Sequence, residues 1–155
     1  MRQLHTAHFG TVEYQEDSVL DFPQGLPAFE DETRFLLIEQ PATAPVIFLQ
    51  SLQSPALAFI TLPVLLVDPS YQLAVPAEDL QILALPEDRQ PVIGTEVLCL
   101  AIATVTPGFP PTANLMAPVV VNLAARRAVQ TIQPNVPYSH QQPLFPPGQE
   151  ATPCS

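Results

Sequence analysis

Lysine is absent from this chain. All five basic residues are arginines, set against 15 acids, for a formal net charge of −10. Positive charge that scarce removes the usual electrostatic route to a phosphate backbone, so direct binding to DNA or RNA is not expected. The same field attracts a basic partner, including a protein that itself binds nucleic acid. Its plainer role is solubility. Cysteine is nearly missing: Cys99 and Cys154 are the only two, too few for a disulfide framework. Cys99 lies in an apolar run and reads as a small core residue, with a single bridge to Cys154 left open as the alternative. Gly-rich phosphate loops, Cys-x-x-Cys, His-Glu-x-x-His and Gly-x-Ser-x-Gly are all lacking, which removes the common routes to nucleotide, zinc and serine-hydrolase chemistry. No apolar segment follows Met1-Arg2. The longest apolar stretches are interrupted by Pro or polar residues short of a bilayer-spanning length. Neither a signal peptide nor a membrane span is expected, and the chain reads as cytosolic.

Proline is the abundant residue, 20 against 5 glycines in 155 residues. Proline is excluded from helix interiors and central strands, so this composition points to short strands joined by stiff loops. Extended segments are expected around Gly10, at 19–22, 35–39, 46–50, 57–62, 96–106 and 129–132, each bounded by Pro, Gly or polar turns. The run Glu96–Thr106 places Val97, Cys99, Ala101, Ala103 and Val105 on one face and Leu98, Leu100, Ile102 and Thr104 on the other. Both faces are apolar, so a central strand is expected there. Pro76-Ala77-Glu78-Asp79-Leu80 carries helix-start chemistry, with Pro in the first turn and acids after it. About eight or nine strands with one short helix predict an all-β, mainly antiparallel domain, a small barrel or sandwich. From residue 134 the aliphatics thin out and prolines recur, so 134–155 reads as an extended or disordered tail.

Reactive groups do not converge in this pattern. His5 and His8, with a nearby acid or His140, form a weak metal spacing. Carboxylate pairs such as Asp17/Asp21 and Glu78/Asp79 arise readily in so acidic a chain. No catalytic residue, metal ligand or cofactor is expected, and a binding protein is favoured over an enzyme. The rival is a β-barrel small-molecule or metal-binding domain, or a weak hydrolase, using His5, His8 and nearby acids.

Residues 112–122, Thr-Ala-Asn-Leu-Met-Ala-Pro-Val-Val-Val-Asn, stand out. Three consecutive valines favour extended, packed backbone, Pro118 suits a strand start or bulge, and Asn114 and Asn122 suit turns. Several stretches in order extend this pattern: Thr6-Ala7-His8-Phe9-Gly10, Phe22-Pro23-Gln24-Gly25-Leu26-Pro27-Ala28-Phe29-Glu30, Phe48-Leu49-Gln50-Ser51, Leu57-Ala58-Phe59-Ile60, Val67-Asp68-Pro69-Ser70-Tyr71, Glu78-Asp79-Leu80, then 112–122 and Gln130. Together they resemble the FliW family of flagellar assembly factors over roughly residues 3–133. Ala28 stands where that family has a glycine, and Ala128 replaces another near Arg127.

The resemblance implies a non-enzymatic, β-barrel-like domain over 1–133 with the Pro-rich tail over 134–155. It implies a cytoplasmic protein, monomeric when free, that binds flagellin and the RNA-binding translational regulator CsrA, without direct contact to nucleic acid or membrane. For the regulator, the expected contacts are acids on loops: Glu30, Asp31, Glu32, Asp68, Glu78, Asp79, Glu87 and Asp88. For the amphipathic helical ends of flagellin, an apolar groove is expected around exposed Phe29, Phe48, Tyr71 and Leu115. Asn114 is held open as a further contact.

Overall fold

The structure, a computed structural model, describes residues 2–133 and 136–144. In chain order its strands are β1 (Arg2–Thr6), β2 (Gly10–Tyr14), β3 (Leu20–Asp21), β4 (Arg34–Glu39), β5 (Ile47–Ser51), β6 (Ala58–Pro63), β7 (Leu98–Thr104), β8 (Thr112–Ala113), β9 (Val119–Asn122), β10 (Arg127–Gln130) and β11 (Gln142–Pro143). Two short helices, α1 (Val64–Val67) and α2 (Ala77–Ile82), lie between β6 and β7.

Seven strands form a closed ring in the order β4-β5-β6-β7-β9-β10-β3, with β3 returning to β4. Neighbours run antiparallel except β10 and β3, which are parallel. An odd ring cannot alternate direction all the way round, so one parallel pair is unavoidable. It falls on the shortest partner, where Arg127 registers with Asp21. Closure removes the exposed edges that an open sheet of this length would present.

Strand alternation divides the apolar residues between two cores. Inside the barrel, Phe22 and Phe35 meet edge to face at 5.0 Å among Leu20, Leu49, Leu100, Val119 and Val121. Outside it, Cys99, Ala101, Val120 and Val129 pack against Val64, Tyr71, Leu80 and Leu83 from the segment that carries both helices. The two expected faces of 96–106 therefore separate cleanly: Leu98, Leu100 and Ile102 belong to the inner core, and Val97, Cys99 and Ala101 to the outer one. Each fully buried Leu or Val contributes about 1.5–3 kcal/mol, so a strand buried on both faces anchors the fold. β7 is that strand, bonded to β6 on one side and to both β8 and β9 on the other.

The 112–122 stretch is one bulged path along β7. Asn114 Oδ1 accepts from the amides of Met116 (3.1 Å) and Ala117 (3.0 Å), turning the chain between β8 and β9. Asn122 Oδ1 accepts from Ala125 N, and its amide donates to Leu83 O at 2.8 Å. Both asparagines thus close turns, and Pro118 immediately precedes β9.

The expected single helix has a companion. Val64–Val67, read only as apolar, makes one helical turn after Pro63, with Val64 buried and Leu66 exposed. The tail expected from residue 134 covers two kinds of residue. Residues 136–144 turn at His140-Gln141 and pack back on the domain: β11 pairs with β8, and Tyr138 stacks on Tyr71 with ring centroids 4.3 Å apart. The rest of 134–155 lies outside the described residues. The hairpin β1–β2 is a separate two-stranded sheet. Its tip is pinned by Ala7 N donating to Pro55 O (3.0 Å) and by Phe9 against Phe48 at 4.9 Å.

Candidate functional site

Charge is distributed unevenly because the few cations are engaged locally. Glu16 takes Arg2 at 3.2 Å and Arg34 as ion pairs, and its carbonyl accepts from Arg126. Arg89 meets Glu96 through two parallel bonds of 2.6 and 2.5 Å, and Glu96 also accepts from Val92 N at 2.8 Å. The Arg89 bond, with the Val92 amide, holds the Glu96 carboxyl down to about 2. Among the described residues, no other ion pairs form.

That leaves surplus acid around α2 and the loop after it. Glu78, Glu87 and Asp88 are exposed and unpaired by cations, with Gln81 on α2 donating to Glu87 at 3.1 Å. That bond brings Glu87 beside α2, which also carries Glu78. Asp79 is only half-exposed, and Thr131 donates to its carboxylate at 2.6 Å, tying α2 to the chain after β10. Glu30 and Asp31 are exposed on a separate loop. Glu32 beside them is structural: its two oxygens accept from the hydroxyls of Ser51 and Ser54, fastening that loop to the β5–β6 turn. Asp68 accepts from Ser70 N at 2.9 Å and shapes its own turn.

The expected apolar groove is not assembled as read. Tyr71 is 5% and Leu115 1% exposed, so both belong to the outer core and not to a surface. Burial pushes the Tyr71 phenol upward, and its hydroxyl donates to Leu115 O at 2.6 Å while accepting from Gln133 at 2.7 Å. Their apolar and aromatic character was legible; that the 64–97 segment covers them was not. Asn114 is half-buried, with its side-chain oxygen committed to the bulge. Phe29 is 40% exposed and sits edge to face on Phe59 at 5.4 Å. Phe48 is half-buried on the outer face of β5, in register between Ile38 and Ile60. These two remain accessible, on different elements.

The largest exposed apolar group escaped sequence reading. Phe109 is 71% exposed on the β7–β8 loop, with Val105 at 63% nearby. A signal existed: no charged residue occurs from 97 to 125, and Pro107-Gly108-Phe109-Pro110-Pro111 sets the ring on a stiff turn. Also missed was a cleft of about 370 Å³ between the N-terminal hairpin and β4, lined by Val12, Tyr14, Leu20, Leu36 and Ile38 with Asp17 at its side. It depends on how the hairpin docks, which no local pattern encodes.

The histidines stand apart. His5 pairs with Thr11 Oγ1 at 2.9 Å and His8 with Ala56 O at 3.0 Å. Among the described residues no three His, Cys, Asp or Glu side chains gather around a point suited to a metal ion. None of the described helices is long and apolar enough to cross a membrane. Burial raises the thiol of Cys99 to about 12; Cys154 lies outside the described residues.

A family model described as "FliW protein" matches residues 3–144. The flagellar assembly factor FliW of Syntrophomonas wolfei is 34% identical over 141 residues, covering 90% of this chain and 86% of its own. That of Geobacillus thermodenitrificans is 32% identical over 145 residues, covering 93% and 96%. A crystal structure of the flagellar assembly factor FliW superposes with a TM-score of 0.81 at 32% identity, across 94% of this chain and 99% of that one.

Proposed function

The chain belongs to the FliW family of flagellar assembly factors, and we propose that it works in the cytoplasm as a non-enzymatic binding protein with two partners, flagellin and the regulator CsrA. Bound flagellin occupies it; export of flagellin frees it to hold CsrA away from the flagellin message, so that translation follows demand. The family match from residue 3 to 144 carries this reading.

Two physical features support it. The net charge of −10 steers a basic RNA-binding protein inward and keeps RNA out. The acids left uncompensated, Glu78 on α2, Glu87 and Asp88 on the loop after it, and Glu30 and Asp31 on another loop, are the contacts proposed for the regulator. Asp79, Glu32 and Asp68 act in its support by holding those elements in place. For flagellin, Phe29 and Phe48 are the contacts retained from the sequence. The free protein is a monomer in this scheme.

The test is co-purification of native flagellin and CsrA with the tagged chain, repeated for E78K combined with E87K/D88K and separately for F29D. The acid-reversed variant is expected to lose CsrA and keep flagellin, and F29D the reverse. Retention of CsrA by the acid-reversed variant removes the acidic face from the interface. Absence of both partners from the wild-type eluate overturns the functional reading itself.

A further inference from the structure

The segment 136–144 occupies a site built entirely by the rest of the chain. Tyr138 lays its ring on Tyr71, interplanar angle 26°, and its hydroxyl accepts from Gln72 N at 2.8 Å. Leu115 N donates to Ser139 O at 3.0 Å, and Leu144 N to Pro111 O at 3.2 Å. Between them β11 adds a two-residue antiparallel ladder to β8, Gln142 facing Ala113 and Pro143 facing Thr112. Among the described residues β11 ends the sheet order, so β8 has no other partner on that side.

The receiving site is braced by bonds of its own. Tyr71 OH bonds Leu115 O, Gln133 bonds Tyr71 OH, and Gln133 Oε1 accepts from Ala74 N at 2.6 Å. None of these bonds uses a residue of 136–144. The strap itself is lightly held: none of its residues is fully buried, and Pro137, Ser139, His140, Gln141 and Pro143 are exposed. It carries no acid and no arginine.

We propose that residues 136–144 are a displaceable internal competitor, covering a strand-accepting edge and an aromatic slot that bind an extended segment of a partner protein. The strap displays the chemistry of that occupant: an aromatic residue for the Tyr71 face, main-chain groups for Leu115 N and β8, and no acidic side chain. This is strand addition at a sheet edge with one anchoring pocket. The closed strap lowers the partner's apparent affinity by the fraction of time the edge is covered. This goes beyond the assembly-factor reading, and rests on it for the choice of flagellin and CsrA as the partners that supply such a segment.

The experiment uses the full chain with Tyr138→Ala and Leu144→Ala, its folding checked by thermal melting. The probe is a fluorescein-labelled peptide of residues 136–144, followed by anisotropy. The variant is expected to bind the peptide about tenfold or more tightly than wild type does, because its edge is open. A peptide with alanine at the Tyr138 position is expected not to bind. Hydrogen exchange at the Gln72 and Leu115 amides should quicken in the variant and slow again with peptide. In a second arm, CsrA and flagellin are titrated separately into both forms. The affinity of at least one should rise in the variant and fall when the peptide is added. Failure of the peptide to bind the folded variant overturns the proposal, as does binding of the partners with the same measured affinity to both forms. If neither partner binds either form while the peptide does, the functional reading fails and the strap site stands.

Discussion

Gly25→Ala is the sharpest probe of how the Phe22–Thr33 loop is made. Gly25 has φ +64°, in the left-handed region, and a methyl group there would stand 2.5 Å from Glu30 O, 2.6 Å from its Cα and 2.7 Å from its carbonyl carbon. Holding alanine in that conformation costs about 1–2 kcal/mol, offset by about 0.4–1 kcal/mol from the stiffer unfolded chain. The contact is the larger part. Carbon atoms normally stay about 3.5 Å from such neighbours, so the Glu30 backbone must shift by most of an ångström. It is tied down by Phe29 N to Leu26 O (2.7 Å), Glu32 N to Phe29 O (3.0 Å) and Phe22 N to Thr33 O (2.8 Å). Forcing extra volume into a fixed region costs about 1–3 kcal/mol. The expected loss is therefore roughly 2–4 kcal/mol, a fall in melting temperature of about 6–12 °C for a domain this size. Gly10→Ala and Gly108→Ala are internal controls. Their φ values are +66° and +84°, but no atom lies within 4 Å of an added Cβ, so only the conformational part, about 1 kcal/mol or less, applies. Urea unfolding of the three variants side by side measures the difference. If Gly25→Ala loses no more stability than Gly10→Ala, the close approach to Glu30 is not a rigid constraint and the account of the loop is wrong.

Ala28 shares that loop at φ +70°, and Ala28→Gly should stabilise by about 0.5–1 kcal/mol, strain relief exceeding the glycine entropy cost; a destabilised variant in urea would contradict this. Glu96 is expected to titrate near 2 in the folded protein. Its depressed carboxyl stabilises the fold above its ordinary value of 4.5 and loses that contribution as pH falls from 4.5 toward 2. Carbon-detected NMR titration should place its midpoint there, and Arg89→Ala should move it up; an unmoved midpoint would sink the assignment. In a Cys154→Ser chain, Cys99 should react with a disulfide reagent at about pH 8 only as fast as the protein opens, since burial keeps the thiol protonated; a rapid native reaction would show that it is not enclosed.

Elements with strong local periodicity were legible. The alternation in Glu96–Thr106 assigned each side chain of β7 to its face, and Pro76 with two acids marked α2. The asparagines bounding 112–122 were readable as turn formers because their side chains bond backbone only two or three residues away. The site was less legible. Glu32 and Asp79 have the same composition cues as Glu30 and Glu78, yet hydroxyls brought from Ser51, Ser54 and Thr131 draw them into the framework. Tyr71 and Leu115 look like any exposed apolar pair in a loop-rich chain, and become core only when the helical segment folds over β7.

Charge, proline content and strand alternation are properties of residues and their nearest neighbours, so the sequence by itself determined an acidic all-β protein, its central strand and its family motifs. Which acids stay free, which aromatic rings reach solvent and where residues 136–144 dock depend on contacts between residues far apart in the chain. Tyr71 meets Tyr138 across 67 positions, and Asp79 meets Thr131 across 52. Loop closure over such distances is set by the barrel that gathers them, and only the tertiary structure decided it.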